Sequence, residues 1–160
     1  MGASSAPPPD AGRAQIAVLD TNVCLDLFVF RDPRAAALHA ALRAGTLRAV
    51  IDEPCREEWR CVLAYPQWQL DAAAQATHVA QVDALAQLVA GECAGTTPTM
   101  RPPRCRDPDD QKFLELAARA GACWLFTRDA ELLRLSRRTQ RDLGLAIVTP
   151  EGWAAPWVAP

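Results

Sequence analysis

The chain has 160 residues, half of them hydrophobic and 22% charged, a balance that excludes a wholly disordered chain and suits one domain with a substantial core. Its formal net charge is −2 and its pI about 5.7. Bulk charge therefore advertises no polyanionic partner, and any contact with nucleic acid has to come from a local basic patch.

Residues 1–15, "MGASSAPPPDAGRAQ", are rich in Pro, Ala, Gly and Ser and read as a flexible tail. The chain turns apolar at "IAVLD", too short for a helix and suited to a buried strand ending at Asp20. "TNVCLDLFVF" can start a helix, and "RAAALHAALRAG" reads as a second one stopped at Gly45. "LRAVID" is the next strand, ending at Asp52. "EPCREEWRCVLAY" follows as a helix opened by Pro54. Residues 71–91 read as one long alanine-rich helix, because Val79, Val82, Leu85, Leu88 and Val89 keep helical spacing. A loop, "ECAGTTPTMRPPRCR", precedes an acid-led helix, "DPDDQKFLELAARAG". "ACWLFT" is a third strand, "RDAELLRLSRRTQRDLG" a basic helical stretch, "LAIVT" a fourth strand, and residues 151–160 a tail. Strands alternating with helices imply βαβ units: a three-layer α/β/α fold around a central, mainly parallel sheet, spanning residues 16–150.

In such sheets ligands bind beyond the carboxyl ends of the strands. Three strands end at or beside acids: Asp20, Asp52 with Glu53, and Thr127 with Asp129. The flanking helices add Glu57 and Glu58, and Asp107, Asp109 and Asp110. Each acid alone has an ordinary explanation. Asp107 to Asp110 suit a helix N-terminus, Glu57 and Glu58 a solvated face, and Asp129 a helix cap; Asp20 or Asn22 can cap the helix that follows. Together at one edge they repel one another unless a cation or protons neutralise them. Oxygen donors without His or Cys favour a hard cation, Mg²⁺ or Mn²⁺.

The other polar residues narrow the chemistry. The six cysteines (24, 55, 61, 93, 105 and 123) form no CxxC and no Cys/His pair at zinc spacing. His39 and His78 are isolated within helices. Lys112 is the single lysine against sixteen arginines. With no export signal and no apolar run near ~18 residues, the expectation is a soluble protein of the reducing cytoplasm, without a membrane partner.

In order along the chain, "AVLDTNV", "EEWRCVLAYP", "DPDDQKFLELA" and "WLFTRDAELL" resemble the PIN-domain ribonucleases, and in particular the VapC-like branch that supplies toxins of toxin–antitoxin modules. That resemblance covers residues 16–150. It implies a metal-dependent endoribonuclease acting on RNA, a cognate antitoxin partner and a homodimer. It places the four catalytic acids on Asp20, Glu58, Asp110 and Asp129, with Asn22 and Thr127 in support. Asp107 and Asp109 are alternates for the third acid, and Glu57 for the second. Asp20, Asp110 and Asp129 would hold Mg²⁺ or Mn²⁺, with Glu58 partly through water.

Two positions depart from the family's pattern. Asp52 stands where a Ser is common, adding negative charge near the site, and Arg128 lies between Thr127 and Asp129, within reach of a substrate phosphate or of a carboxylate. Arg128, Arg137 and Arg138 are candidate RNA contacts, although the same arginines suit a solvated helix with charge pairs. Trp59 and Trp68 suit base stacking, core packing or a dimer interface. Two other functions fit an acid after the first strand: a haloacid-dehalogenase-like phosphatase, for which Asn22 stands where a second Asp is needed, and a non-catalytic acidic pocket binding an Arg-bearing peptide.

Overall fold

A computed structural model describes residues 15–90 and 101–154. The expected tail residues 1–14 and 155–160, and the loop residues 91–100 with Cys93, lie outside the described residues. Five strands form one sheet in the order β3-β2-β1-β4-β5, with every neighbouring pair parallel. They are β1 (Gln15–Leu19), β2 (Leu47–Ile51), β3 (Ala86–Leu88), β4 (Trp124–Phe126) and β5 (Ala146–Val148).

Between β1 and β2 run α1 (Thr21–Cys24), which continues through a π-helical turn at Leu25–Val29, and α2 (Ala36–Ala44). Gly45, at φ 78°, ends α2 in the left-handed conformation that a residue with a Cβ resists. Next come α3 (Glu53–Leu63) and α4 (Ala72–Leu85), then α5 (Gln111–Ala120) before β4. α6 (Ala130–Leu133) and α7 (Ser136–Leu143) divide the basic stretch in two, and α8 (Pro150–Ala154) follows β5. Helices cover both faces of the sheet, giving the expected α/β/α layering. The central strands are correspondingly apolar throughout: Ala17, Val18, Ala49, Leu125 and Phe126 are all buried. Each large side chain buried this fully contributes roughly 1.5–3 kcal/mol.

Two elements differ from the sequence reading. The helix expected over residues 71–91 ends at Leu85, and Ala86–Leu88 becomes an edge strand in register with Ala49–Ile51. Leu88 continues the helical spacing but is 52% exposed, because pairing with β2 turns it off the helix's buried face. The expected tail after residue 150 begins as α8, whose Trp153 packs edge-on against Trp124 and Phe126.

The chain proceeds from β1 outward to β2 and β3, then returns to β1's other side as β4. That reversal leaves a crevice beyond the carboxyl ends of β1 and β4, where parallel α/β sheets place their sites.

Candidate active site

Leu19 pairs with Phe126 in the β1–β4 register, and the amide of Asp20 donates to the Phe126 carbonyl at 2.9 Å. The residues just past each strand, Asp20 and Thr127, therefore meet. Thr127 Oγ1 donates to Asp20 Oδ2 at 2.6 Å, and both residues are buried. Asp20 stands at the N-cap position of α1 yet makes no side-chain capping bond, so capping does not explain it. Asn22, half-buried in the first turn, supplies a backbone amide near the Asp20 carboxylate.

Asp129 follows β4 and caps α6, its Oδ1 accepting the Glu131 amide at 2.7 Å; its own amide donates to Thr127 Oγ1 at 3.0 Å. Asp110 arrives from the short 3₁₀ turn Pro108–Asp110 that leads into α5. Carboxylate oxygens of Asp107, Asp110 and Asp129 all lie within 4.8 Å of one another. Asp110 Oδ2 is shut off from solvent and has no hydrogen-bond partner.

The fourth acid comes from α3. Cys55, Trp59 and Leu63 form the buried stripe of that helix. Glu58, next to it, points to the crevice, whereas Glu57 is exposed and accepts from the Cys61 thiol. Glu58 Oε2 accepts the Thr21 hydroxyl, and Oε1 accepts Lys112 Nζ at 2.7 Å. Asp109 contributes its backbone carbonyl, which accepts from Lys112 at 2.7 Å.

Protonation follows from this crowding. Burial pushes the Asp20 carboxyl up to about 6, against the Thr127 bond and nearby amides and with help from the Glu58 charge. Asp110 is pushed up to about 8, by burial first and then by its hydrogen bond to Asp129 and the charges of Asp20, Asp129 and Asp107. Asp110 therefore keeps its proton near neutral pH in place of a counter-charge. An oxygen-only donor set with an unpartnered buried oxygen fits a hard divalent cation.

The structure also places the other polar and aromatic candidates, two of them, Asp52 and Arg128, in ion pairs. Asp52 adds no open charge to the crevice: it caps α3 through Cys55 N at 3.1 Å and pairs with Arg119 at 2.7 Å, because α5 packs against α3. Arg128 turns away from the acids, pairing with buried Asp26 and with Glu151 of α8 at 2.8 Å. Arg137 and Arg138 are exposed on α7, Arg138 lying 3.9 Å from Asp142. Trp59 is core, its indole donating to the His78 carbonyl at 3.3 Å, and Trp68 sits edge-on to Phe30. His39 packs on Phe28, and His78 pairs with Gln81.

Sequence reasoning missed the partners in this neighbourhood. Thr21 meets Glu58, Asp26 meets Arg128 and Lys112 meets Glu58, none of them near its partner in sequence.

Fold and site together define a parallel α/β domain with an acidic crevice at its topological switch point. The chain belongs to the PIN-domain family, whose model matches residues 16–131. In the crystal structure of VapBC2 from Rickettsia felis bound to a DNA fragment from their promoter, one chain superposes with a TM-score of 0.53 at 12% identity, over 82% of this chain and 96% of that one. At that identity the likeness concerns the fold. No curated sequence matches the chain. Among the described residues no helix is long and apolar enough to cross a membrane, and Cys24, Cys55, Cys61, Cys105 and Cys123 are free thiols.

Proposed function

We propose that this protein is a metal-dependent endoribonuclease and the toxin of a type II toxin–antitoxin pair. The observation that supports the reading is the cluster of Asp107, Asp110 and Asp129, with Asp20 near enough for its charge to act on Asp110 and Glu58 on Asp20, and one buried Asp110 oxygen unpartnered. Family membership supports nuclease chemistry in general.

In this reading Asp20, Asp110 and Asp129 hold Mg²⁺ or Mn²⁺. When bound, the ion would supply Lewis-acid polarisation of the phosphodiester and an acidified attacking water. Thr127 fixes the rotamer of Asp20 and, through its bond from the Asp129 amide, the start of α6. Asn22 presents its amide to Asp20. Arg137 and Arg138, exposed on α7, would hold the RNA backbone in this reading. A toxin role brings with it an antitoxin partner, as in the VapBC2 assembly that shares the fold, together with a homodimer and a cytoplasmic setting. The haloacid-dehalogenase-like alternative loses its ground, since Lys112 pairs with Glu58 and Asn22 leaves no second Asp after β1.

The test is labelled RNA incubated with purified protein and Mn²⁺, beside EDTA and Asp20→Asn controls. Cleavage by the wild type alone supports the nuclease. No cleavage, or undiminished cleavage by Asp20→Asn, leaves the acidic-pocket binding module in its place.

A further inference from the structure

Glu58 has both of its carboxylate oxygens engaged by side-chain donors. One oxygen accepts the Thr21 hydroxyl, and the other the Lys112 ammonium at 2.7 Å. Lys112 is fixed in turn by the Asp109 carbonyl, also at 2.7 Å, in the 3₁₀ turn that delivers Asp110. The lysine thus ties α3 to the start of α5, with both side chains about three-quarters buried. In that same 3₁₀ turn Asp110 keeps an unpartnered oxygen, and Asp129 keeps one oxygen outside its capping bond.

Two divalent ions in one nuclease site sit roughly 3.5–4 Å apart and share carboxylates between them. Glu58 can join such a pair only by releasing a charge-assisted bond, and those are among the stronger hydrogen bonds in proteins. We propose that Lys112 is a positioning residue that takes the place of a second cation on Glu58, leaving the acidic crevice with one divalent-ion site. The proposal rests on the metal-dependent reading above and narrows it. The lysine also occupies a Glu58 oxygen that would otherwise be open to the ion that Asp20, Asp110 and Asp129 would hold.

Mn²⁺ stoichiometry, measured on the full chain by calorimetry and by electron paramagnetic resonance of the bound ion, is the test. One ion is expected in the wild type and in Lys112→Arg, and two in Lys112→Met, where Glu58 is released. Two ions in the wild type, or one in Lys112→Met, would overturn the proposal and leave the nuclease reading standing. No Mn²⁺ bound by the wild type removes that reading, and the proposal with it. The double variant Glu58→Gln/Lys112→Met gives a second measure: with the released carboxylate gone, one ion is expected, and two ions there would place the second site elsewhere and overturn the proposal.

Discussion

Thr127 Oγ1 donates to Asp20 Oδ2 at 2.6 Å while accepting the Asp129 amide at 3.0 Å. One hydroxyl therefore joins the ends of β1 and β4 and orients two of the acids. Removing it leaves a buried carboxylate without its side-chain donor, which costs about 1.5–3 kcal/mol where the acceptor is charged. Thr127→Val is expected to keep the fold and weaken Mn²⁺ binding about 10- to 100-fold, in the manner of other residues that orient a ligand. Thr127→Ser, which keeps the donor, should bind near normally. Calorimetric titration of both variants decides it, and equal affinities would show that the hydroxyl is incidental.

The raised carboxyls make stability depend on pH in a definite direction. Asp20 titrates near 6 in the folded chain against 3.8 for the ordinary carboxyl. The folded state therefore binds its proton more tightly, and this stabilisation is complete below about pH 4 and lost as pH climbs through 6. For Asp20 alone the loss is about 3 kcal/mol. Asp110 extends the decline toward about 8. The lowered acids Asp32, Asp83, Asp142 and Glu151 act in the opposite sense, at the acid end of the scale. The melting temperature of metal-free protein should fall between pH values of about 5 and 8, and Mn²⁺ should restore most at the alkaline end. Thermal melts across that range check both; a metal-free curve that rises with pH contradicts the assignment.

The strand-end acids were legible because apolar runs that stop at a carboxylate mark the functional edge of a parallel sheet; the acids drawn within 4.8 Å of one another are Asp110 and Asp129 with Asp107, which the sequence offered only as an alternate. Glu58 was separable from Glu57 in principle: it lies three residues after Cys55, beside the buried stripe of α3. The ion pairs were not legible. Lys112 and Glu58 are 54 residues apart and Arg128 and Asp26 are 102 apart, so only the folded arrangement selects them among nineteen acids. β3 was hidden for a different reason. "AQL" carries no strand signal of its own and extends a helical pattern, so pairing with β2 decides its conformation.

Asp52 is a structural acid on this geometry. It is 2% exposed, caps α3 and holds Arg119. Asp52→Ala leaves Arg119 unpaired and α3 uncapped, an expected loss of about 3–5 kcal/mol. Mn²⁺ affinity should be unchanged in whatever fraction folds. Chemical denaturation and Mn²⁺ titration of the same preparation separate the two effects, and a large change in affinity at unaltered stability would return Asp52 to the site.

The arginines divide in the same way. Arg128 bridges Asp26, buried in the π-helical turn, to Glu151 of α8, so it anchors the last helix against the loop that carries Asp129. Arg128→Ala strands a buried carboxylate and should cost about 3 kcal/mol, with α8 becoming more open to proteolysis. Arg137 and Arg138 project from α7 into solvent. The double variant Arg137→Ala/Arg138→Ala should melt within about 1 kcal/mol of wild type, since exposed pairs contribute little. It should nonetheless bind RNA more weakly, and the slope of its salt dependence should shrink by up to about 0.7 for every phosphate no longer neutralised. Filter binding at several salt concentrations, beside thermal melts, tests the division. RNA affinity lost in Arg128→Ala at full stability, or kept in the double variant, would assign the grip on the RNA backbone to Arg128 instead.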